Sequence, residues 1–353
     1  MVQLHMSLQQ RRQRHPALAH MSIDCAALKA APRHEVGDRW LVSDRYDFLK
    51  RIGEGSISTV DMAIRRSDGK SVAMKMTRTS EPELLKMARE ECELLQSLDH
   101  PNIIKAYEFH STSYCACMVM EIFDGMRLSS AVRRQANKRF SENTSRLLFR
   151  QILDAVDYLH EHRIVHRDIK PQNMLVAHQL DKIVLLDFNV ARNLAKGGCY
   201  TMTGTYLYAA PEVLLGQSPF EGSDVWAAGL CLHIMLTGRL PQGRDQYIYK
   251  EHAVTEVANK ELTFEDKLWN DVSMPCKETL QQCLAVNALW RPSAMILLMA
   301  EWFSASACGG STQPQEQLHP RPQTNWRRPL RSCSSRSARS QGRSTSTRRA
   351  RSR

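Results

Sequence analysis

One stretch decides how this chain is interpreted: His166-Arg167-Asp168-Ile169-Lys170-Pro171-Gln172-Asn173. Fourteen residues after Asn173, Asp187 follows a predicted strand that ends at Leu185-Leu186. Asp168, Asn173 and Asp187 therefore place oxygen ligands in short loops at the ends of predicted strands. Amide and carboxylate oxygens suit Mg²⁺, which makes Asn173 and Asp187 candidate metal ligands. Asp168 then stays free to accept a proton from a hydroxyl nucleophile, and Lys170 to neutralise a transferring phosphoryl group.

A glycine-containing turn lies upstream of this stretch. Gly53 and Gly55 stand between two strand-like segments, 48–53 and 59–64. Glycines allow a backbone to approach a phosphate closely and to present N–H groups to it. An ordinary hairpin has the same pattern, so the turn alone leaves both interpretations open.

A lysine and a glutamate narrow the choice. Strand alternation over residues 71–76 places Ala73 and Lys75 on one face, which leaves room for a flat ligand beside a cation. The next predicted helix, with a capping box at Ser80-Glu81-Pro82-Glu83, carries Glu91 within its apolar stripe. A buried carboxylate is costly unless it is paired, and Lys75 is the nearest candidate partner. The alternatives are a solvated edge lysine and a glutamate that reaches solvent at the rim.

Composition limits the class of protein. Apolar residues make up 42% of the 353 residues, which is sufficient for a substantial core. The ten cysteines form no CxxC pair and no zinc-type spacing, which favours a reducing compartment. We therefore expect a cytoplasmic or nuclear location, or both. No apolar run approaches the roughly 20 residues of a membrane helix, so we expect no membrane association.

The chain divides into three zones. Polar composition predicts a disordered extension over 1–44, although its acid-free, arginine-containing start also resembles a transit peptide. Residues 45–304 read as a folded domain whose first third is β-rich with one long helix. The remainder is mainly helical, with helices predicted over 141–162, 224–237, 277–286 and 292–303. An α+β fold of two lobes, a small sheet lobe and a larger helical lobe with a cleft between them, follows from this order.

The third zone, 305–353, is predicted to be a disordered Arg/Ser-rich tail. Between Arg321 and Arg353 there are eleven arginines and no acidic residue, an excess equal to the net charge of +11. A solvated end is the plain interpretation. The alternatives are nuclear targeting, contact with nucleic acid or an acidic partner, and an autophosphorylation target.

Taken together, these motifs resemble the signature set of the eukaryotic protein kinases. The likeness continues through 204–212, which is similar to the segment ending in Ala-Pro-Glu, and through 224–229, similar to the start of a family helix. Arg291 resembles the arginine that pairs with Glu212. The resemblance covers roughly 46–303. It implies the two-lobed protein-kinase fold and a Ser/Thr kinase that uses ATP and Mg²⁺ on protein substrates.

The resemblance also implies a role for each matching residue. Asp168 would position the substrate hydroxyl, Lys170 marks Ser/Thr rather than Tyr acceptors, and Thr205 would brace both. Asn173 and Asp187 would hold Mg²⁺. The residues implied to bind ATP are Ile52, Gly53, Gly55, Val60, Ala73, Lys75, Glu91, Met120, Glu121, Phe123, Asn173 and Asp187. Those that look like regulatory-spine members are Leu95, His166 and Phe188.

Control by phosphorylation is implied in the same way. In the family, the arginine at the position of Arg167 gathers a phosphate on the activation loop. Thr201 occupies the usual phosphoacceptor place, with Thr203 second, which implies an upstream activating kinase. A plain polar loop residue is the alternative for Thr201.

Two positions depart from the family pattern. Ser58 replaces the third loop glycine, and Asn189 stands where the family has glycine. Asparagine tolerates positive φ better than most residues, so we expect the turn to form with an altered activation equilibrium. A nucleotide-binding pseudokinase scaffold is therefore the alternative function. The end of the domain, at 269–273, 291–294 and 301–303, is similar to calcium/calmodulin-dependent-type kinases.

Overall fold

The structure is a computed structural model that describes residues 42–55, 57–193, 206–241 and 262–304. The predicted Arg/Ser-rich tail at 305–353 lies outside these ranges, as does the predicted N-terminal extension up to residue 41. Within them the two-lobed α+β prediction is confirmed, with a sheet lobe followed by a helical lobe.

The first lobe is a five-stranded antiparallel sheet with the strand order β1-β2-β3-β5-β4. Its strands are β1 (Tyr46–Glu54), β2 (Ser58–Arg65), β3 (Ser71–Arg78), β4 (Ala106–Ser111) and β5 (Cys115–Glu121). Helix α1 (Pro82–Gln96) connects β3 to β4 and packs against β4 and β5. It buries Glu91, Cys92 and Leu95, one face of an amphipathic helix. The lobe thus presents β3 and α1 to the same space.

Helix α1 does not begin as predicted. The expected capping box at Ser80 and Glu83 is wrong, because the N-cap is Glu81 and no side chain bonds to the cap position. Instead, Thr79 Oγ1 accepts a hydrogen bond from the Glu81 backbone N–H at 3.0 Å. Pro82 at the first helical position fixes the start, since its missing N–H costs nothing there.

The second lobe is mainly helical, with two small sheets between its helices. Its helices are α2 (Leu128–Arg134), α3 (Glu142–Glu161), α4 (Pro211–Leu214), α5 (Glu221–Thr237), α6 (Met274–Cys283), α7 (Ala294–Leu298) and α8 (Glu301–Ser304). Strands β6 (Gly125–Arg127), β8 (Met174–Ala177) and β9 (Ile183–Leu185) form one sheet. Strands β7 (Ile164–Val165) and β10 (Arg192–Asn193) form the other.

Helix α5 is the centre of this lobe. Every residue from Gly222 to Leu236 is buried, because apolar residues lie on all sides of the helix and it is covered by α3 and α6. It ends at Gly238, whose φ of 77° is left-handed. The same core continues past Phe188 to Leu95 of α1, so apolar packing is continuous from one lobe to the other.

One predicted helix is divided. Residues 292–303 were expected to form a single helix, but α7 ends at Leu298 and α8 begins at Glu301. The break buries Trp302, which is 1% exposed and lies beside Phe149 with ring centroids 6.1 Å apart. Its Nε1–H donates to Glu142 Oε1 at 2.8 Å. A continuous helix would direct this indole differently.

No helix within the described ranges has the length and apolarity needed to cross a membrane.

Candidate active site

A cavity of about 330 Å³ lies between the two lobes, a size typical of small-molecule sites. All twelve residues that the sequence assigned to nucleotide binding line it. The lining residues that sequence reasoning did not assign include Ile104, Ile122, Met126, Leu175 and Leu186. Leu175 stands two residues after Asn173 on β8, and its alternation with the buried Met174 and Val176 was the available signal.

The glycine turn closes over this cavity. The Gly55 N–H donates to the Ser58 carbonyl at 2.7 Å, and Gly53 pairs with Val60 across β1 and β2. A side chain at Gly55 would bring its Cβ to 3.1 Å from Ser58 Oγ. The turn is therefore tight, and its glycine keeps the backbone close to the cavity.

Lys75 and Glu91 form a buried ion pair at the back of the cavity. Lys75 Nζ lies 2.8 Å from both Glu91 carboxylate oxygens. The side chains are only 14% and 2% exposed, so neither a solvated lysine nor a glutamate at the rim describes them. Burial pushes the pKa of Lys75 down, but the carboxylates of Glu91 and Asp187 reverse this and raise the pKa above its ordinary value. Lys75 is therefore a fixed cation beside the cavity.

The catalytic-loop candidates are joined by hydrogen bonds. Asp168 Oδ2 lies 2.7 Å from Lys170 Nζ and accepts a bond from Asn173 Nδ2, also at 2.7 Å. Asn173 Nδ2 bonds to the Asp168 carbonyl as well, at 3.0 Å. Because its amide nitrogen is committed to Asp168, Asn173 keeps its amide oxygen available as a ligand.

Asp224 is a buried carboxylate that holds the backbone of this loop. Sequence reasoning did not assign it a role. Asp224, on α5 and 1% exposed, accepts bonds from the backbone N–H groups of His166 and Arg167 at 2.8 and 2.9 Å. Its Oδ2 also lies 3.1 Å from His160 Nε2. The signal was an acidic residue opening an apolar helix, where an unpaired charge is costly. Arg167 has a left-handed φ of 69°, so these bonds stabilise an unfavourable backbone.

His166 is a neutral structural residue. Its Nδ1 accepts from the Asp168 N–H at 3.2 Å, which leaves the proton on Nε2 to donate to the Leu186 carbonyl at 3.1 Å. Burial lowers the pKa of His166, although Asp224 and Asp168 oppose the shift. The Phe188 ring packs edge-on against it, with centroids 4.6 Å apart.

The Asp187-Phe188-Asn189 segment differs from expectation in its backbone. Positive φ was expected at Asn189, but among the described residues of this segment it occurs at Asp187, with φ 63°. This conformation allows Asp187 to line the cavity while Phe188 is buried. The Phe188 N–H donates to Glu91 Oε1 at 3.2 Å. Lys75 Nζ lies 3.4 Å from Asp187 Oδ1, and Asn189 Nδ2 donates to the same oxygen at 2.5 Å.

The donor set fits a hard cation bound with a polyphosphate. Asp187 and Asn173 supply a carboxylate and an amide oxygen at the cavity wall, and Lys75 supplies a positive charge next to them. Mg²⁺ is usually held by one or two protein oxygens together with substrate phosphates.

The sequence pattern of the protein kinase domain family matches residues 46–303. This chain belongs to the protein kinase family. It is 31% identical over 279 residues to "Probable serine/threonine-protein kinase fhkE" of Dictyostelium discoideum, a match covering 74% of this chain and 38% of that protein. It is 32% identical over 271 residues to "Serine/threonine-protein kinase PEPKR2" of Arabidopsis thaliana, a match covering 76% of this chain and 55% of that protein. It is also 32% identical over 270 residues to "Serine/threonine-protein kinase DCLK2" of Homo sapiens, which covers 75% of this chain and 34% of that protein. The chain thus spans about a third to about half of the length of these relatives.

The kinase domain also contains the predicted pair of Glu212 and Arg291. The guanidinium donates to both carboxylate oxygens, at 2.8 and 2.7 Å, and both side chains are buried. Ser223 Oγ donates to Glu212 Oε1 at 2.7 Å. Burial opposes ionisation, yet the bonds from Arg291 and Ser223 hold the pKa of Glu212 below its ordinary value. The pair ties α4 to the end of the kinase domain.

Three residues singled out from the kinase resemblance lie outside the described ranges. They are Thr201, Thr203 and Thr205, and their roles stay predictions. Arg167, the expected partner of a phosphate on Thr201 or Thr203, is described, and its guanidinium donates to the Val190 carbonyl at 3.3 Å.

Proposed function

We propose that this chain is a Ser/Thr protein kinase that transfers the γ-phosphoryl group of ATP to hydroxyl groups of protein substrates. One observation carries the proposal: Lys75 and Asp187 are held together at one cavity wall, within reach of the loop that carries Asp168 and Asn173. Each of these groups has a partner that fixes it. The serine/threonine kinase names of the relatives support the same acceptor class.

The cavity supplies the nucleotide-binding part of the mechanism. Ala73 and Leu175 line it from opposite lobes, which suits a flat adenine between them. Met120, Glu121 and Phe123 follow along the wall at the end of β5. Lys75, oriented by Glu91, would bind the phosphates. Mg²⁺ bound by Asp187 and Asn173 would offset the phosphate charge.

Asp168 and Lys170 supply the part of the mechanism that acts on the substrate hydroxyl and the transferring phosphoryl group. The substrate hydroxyl oxygen bonds to the γ-phosphorus as the bond to ADP breaks, and its proton passes to the Asp168 carboxylate. Lys170 Nζ, 2.7 Å from Asp168 Oδ2, is placed to stabilise the negative charge on the transferring group. Positioning and electrostatics therefore account for the rate enhancement.

The test compares the wild type with Asp168→Asn for transfer of radiolabelled phosphate from ATP–Mg²⁺ to a mixed library of Ser, Thr and Tyr peptides. We expect labelling by the wild type only, on Ser and Thr. Asp181→Asn, an exposed aspartate between β8 and β9, is the matched control and should label like the wild type. Equal background signals from wild type and Asp168→Asn would contradict the proposal and support a pseudokinase scaffold.

The proposal includes control by an upstream kinase. Phosphorylation of Thr201, with Thr203 as the second candidate, would place a dianion for Arg167 to bind in exchange for the Val190 carbonyl. A charge-assisted bond to phosphate is stronger than one to a neutral carbonyl, which supports the exchange. Phosphosite mapping with a comparison of Thr201→Ala and wild-type activity tests it, and unchanged activity contradicts it.

The proposal has three further parts: the group of kinases to which the chain is related, its cellular location and the role of its basic tail. The C-terminal likeness to calcium/calmodulin-dependent-type kinases includes Trp269 and Trp302, both buried in the helical lobe. A cytoplasmic or nuclear location is supported by six described cysteines that are all free thiols. The basic tail is proposed to contact nucleic acid or an acidic partner. Deletion of 304–353, followed by imaging and salt-dependent RNA binding, tests the last two points.

A further inference from the structure

Asn189 makes a contact that the glycine of the family pattern cannot make. Its side-chain Nδ2 donates to Asp187 Oδ1 at 2.5 Å, across a single intervening residue. Glycine has no side chain, so a family member with the usual residue has to orient this aspartate by other means. The substitution therefore adds a hydrogen-bond donor directly at the candidate metal ligand.

The two oxygens of Asp187 have different surroundings. Oδ1 receives both the Asn189 amide and, at 3.4 Å, the Lys75 ammonium. Oδ2 accepts no hydrogen bond from any residue in the described ranges. One carboxylate oxygen is thus engaged by the protein while the other is left for a ligand.

The backbone at Asp187 also requires support. Its φ of 63° is left-handed, which costs a non-glycine residue free energy unless neighbouring groups stabilise it. The next residue is anchored by the Phe188 N–H bond to Glu91 and by the Phe188 ring on His166. The Asn189 amide adds an anchor directly on the Asp187 carboxylate. The backbone that follows the aspartate and its side chain are therefore each held by a hydrogen bond.

We propose that Asn189 is a positioning residue for Mg²⁺ binding: its amide occupies Asp187 Oδ1 and holds the carboxylate so that Oδ2 is available to the metal. The inference rests on the proposed function, since the metal is expected to arrive with ATP. It predicts that Asn189 lowers the Mg²⁺ concentration at which nucleotide binding strengthens. The opposite possibility, that the amide competes with Mg²⁺ for the carboxylate, predicts the reverse sign.

The experiment measures binding and does not depend on phosphoryl transfer. A non-hydrolysable ATP analogue is titrated against the full chain in EDTA and then across a Mg²⁺ series. The proteins are the wild type, Asn189→Ala and Asn189→Gly. Asn189 is outside the set of positive-φ residues, so alanine can take its place without a left-handed backbone. Asn143→Ala, at an exposed asparagine near the start of α3 whose side chain accepts a hydrogen bond from Arg146, is the matched control.

We expect all four proteins to bind the analogue equally in EDTA. With Mg²⁺, both Asn189 variants should need roughly three- to tenfold more metal for the half-maximal effect, the loss expected for one partly exposed charge-assisted hydrogen bond. Hydrogen exchange should be faster in both over residues 186–190, since Asp187 then loses its hydrogen bond from the Asn189 side chain. Asn143→Ala should match the wild type in both measurements.

Two failures are distinguishable. If the wild type binds no nucleotide with or without Mg²⁺, the proposed function fails. If the wild type binds ATP–Mg²⁺ and both Asn189 variants need the same amount of metal or less, the positioning role is overturned and the proposed function stands. Thermal unfolding of each variant establishes that it is folded before the titration.

Discussion

Arg291 holds both carboxylate oxygens of Glu212, at 2.8 and 2.7 Å, although the two residues lie 79 positions apart. Removal of one member leaves the other buried without its charge partner, which costs about 3–5 kcal/mol. We therefore expect Arg291→Ala to lower the free energy of unfolding by about that amount in urea titrations. Asp271→Asn, which breaks the exposed pair with Arg139, should change it by no more than about 1 kcal/mol. Similar effects of the two substitutions would contradict the buried role.

The same pair predicts how stability depends on pH. The pKa of Glu212 is lower in the folded chain than its ordinary value, so the unfolded state binds the proton more readily. The stabilisation is fully present above the unfolded pKa and is lost as pH falls through the folded pKa. Wild-type unfolding free energy should therefore decrease below about pH 4.5, the ordinary value for glutamate. Glu212→Gln should show a shallower decrease over the same range, and an identical profile would exclude this contribution.

Glu91 should matter for the activity more than its neighbours on α1. Glu91→Gln keeps the shape of the side chain but removes the charge that orients Lys75. The loss of a charge-assisted bond is worth about 1.5–3 kcal/mol, so we expect kcat/KM for ATP to fall at least about tenfold. Glu93→Gln, exposed on the same helix, should stay within about twofold of wild type. Equal effects at the two positions would show that the pair does not organise the site.

Two glycines with the same backbone conformation separate strain from steric contact. Gly216 and Gly238 have φ of 82° and 77°, but only the Cβ of an alanine at 238 would collide with the Lys138 carbonyl. A left-handed alanine costs about 1 kcal/mol at either site. Gly238→Ala should lose at least about 1 kcal/mol more, measured by urea unfolding, because the carbonyl has to move. Equal losses would mean that the α5 terminus adjusts freely.

Sequence reasoning succeeded where a local pattern and a strong physical constraint coincide. Alternation in β3 placed Lys75 on the cavity side, and the cost of a buried carboxylate identified Glu91 as its partner. The pairing of Glu212 with Arg291 came from the kinase resemblance, since nothing local connects residues so far apart.

What could not be read from the sequence depends on tertiary geometry. Asp224 accepts hydrogen bonds from the backbone of His166 and Arg167, which lie 58 and 57 residues before it. A periodic sequence pattern does not indicate which backbone N–H groups a buried carboxylate will bind. The break between α7 and α8 lets Trp302 pack against Phe149 and donate a hydrogen bond to Glu142, and these contacts depend on the tertiary fold. Positive φ at Asp187 was missed because asparagine tolerates this region better than most residues, which drew attention to Asn189.

The left-handed backbone at Asp187 places the stability of the fold and the proposed catalytic activity in conflict. Glycine would relieve the strain there and would raise stability, yet it would remove the carboxylate on which the proposed chemistry depends. A directed-evolution experiment that rewards only heat resistance should therefore accumulate Asp187→Gly and yield robust, inactive proteins. Thermostable variants of this chain are better obtained by requiring phosphoryl transfer in every round of selection.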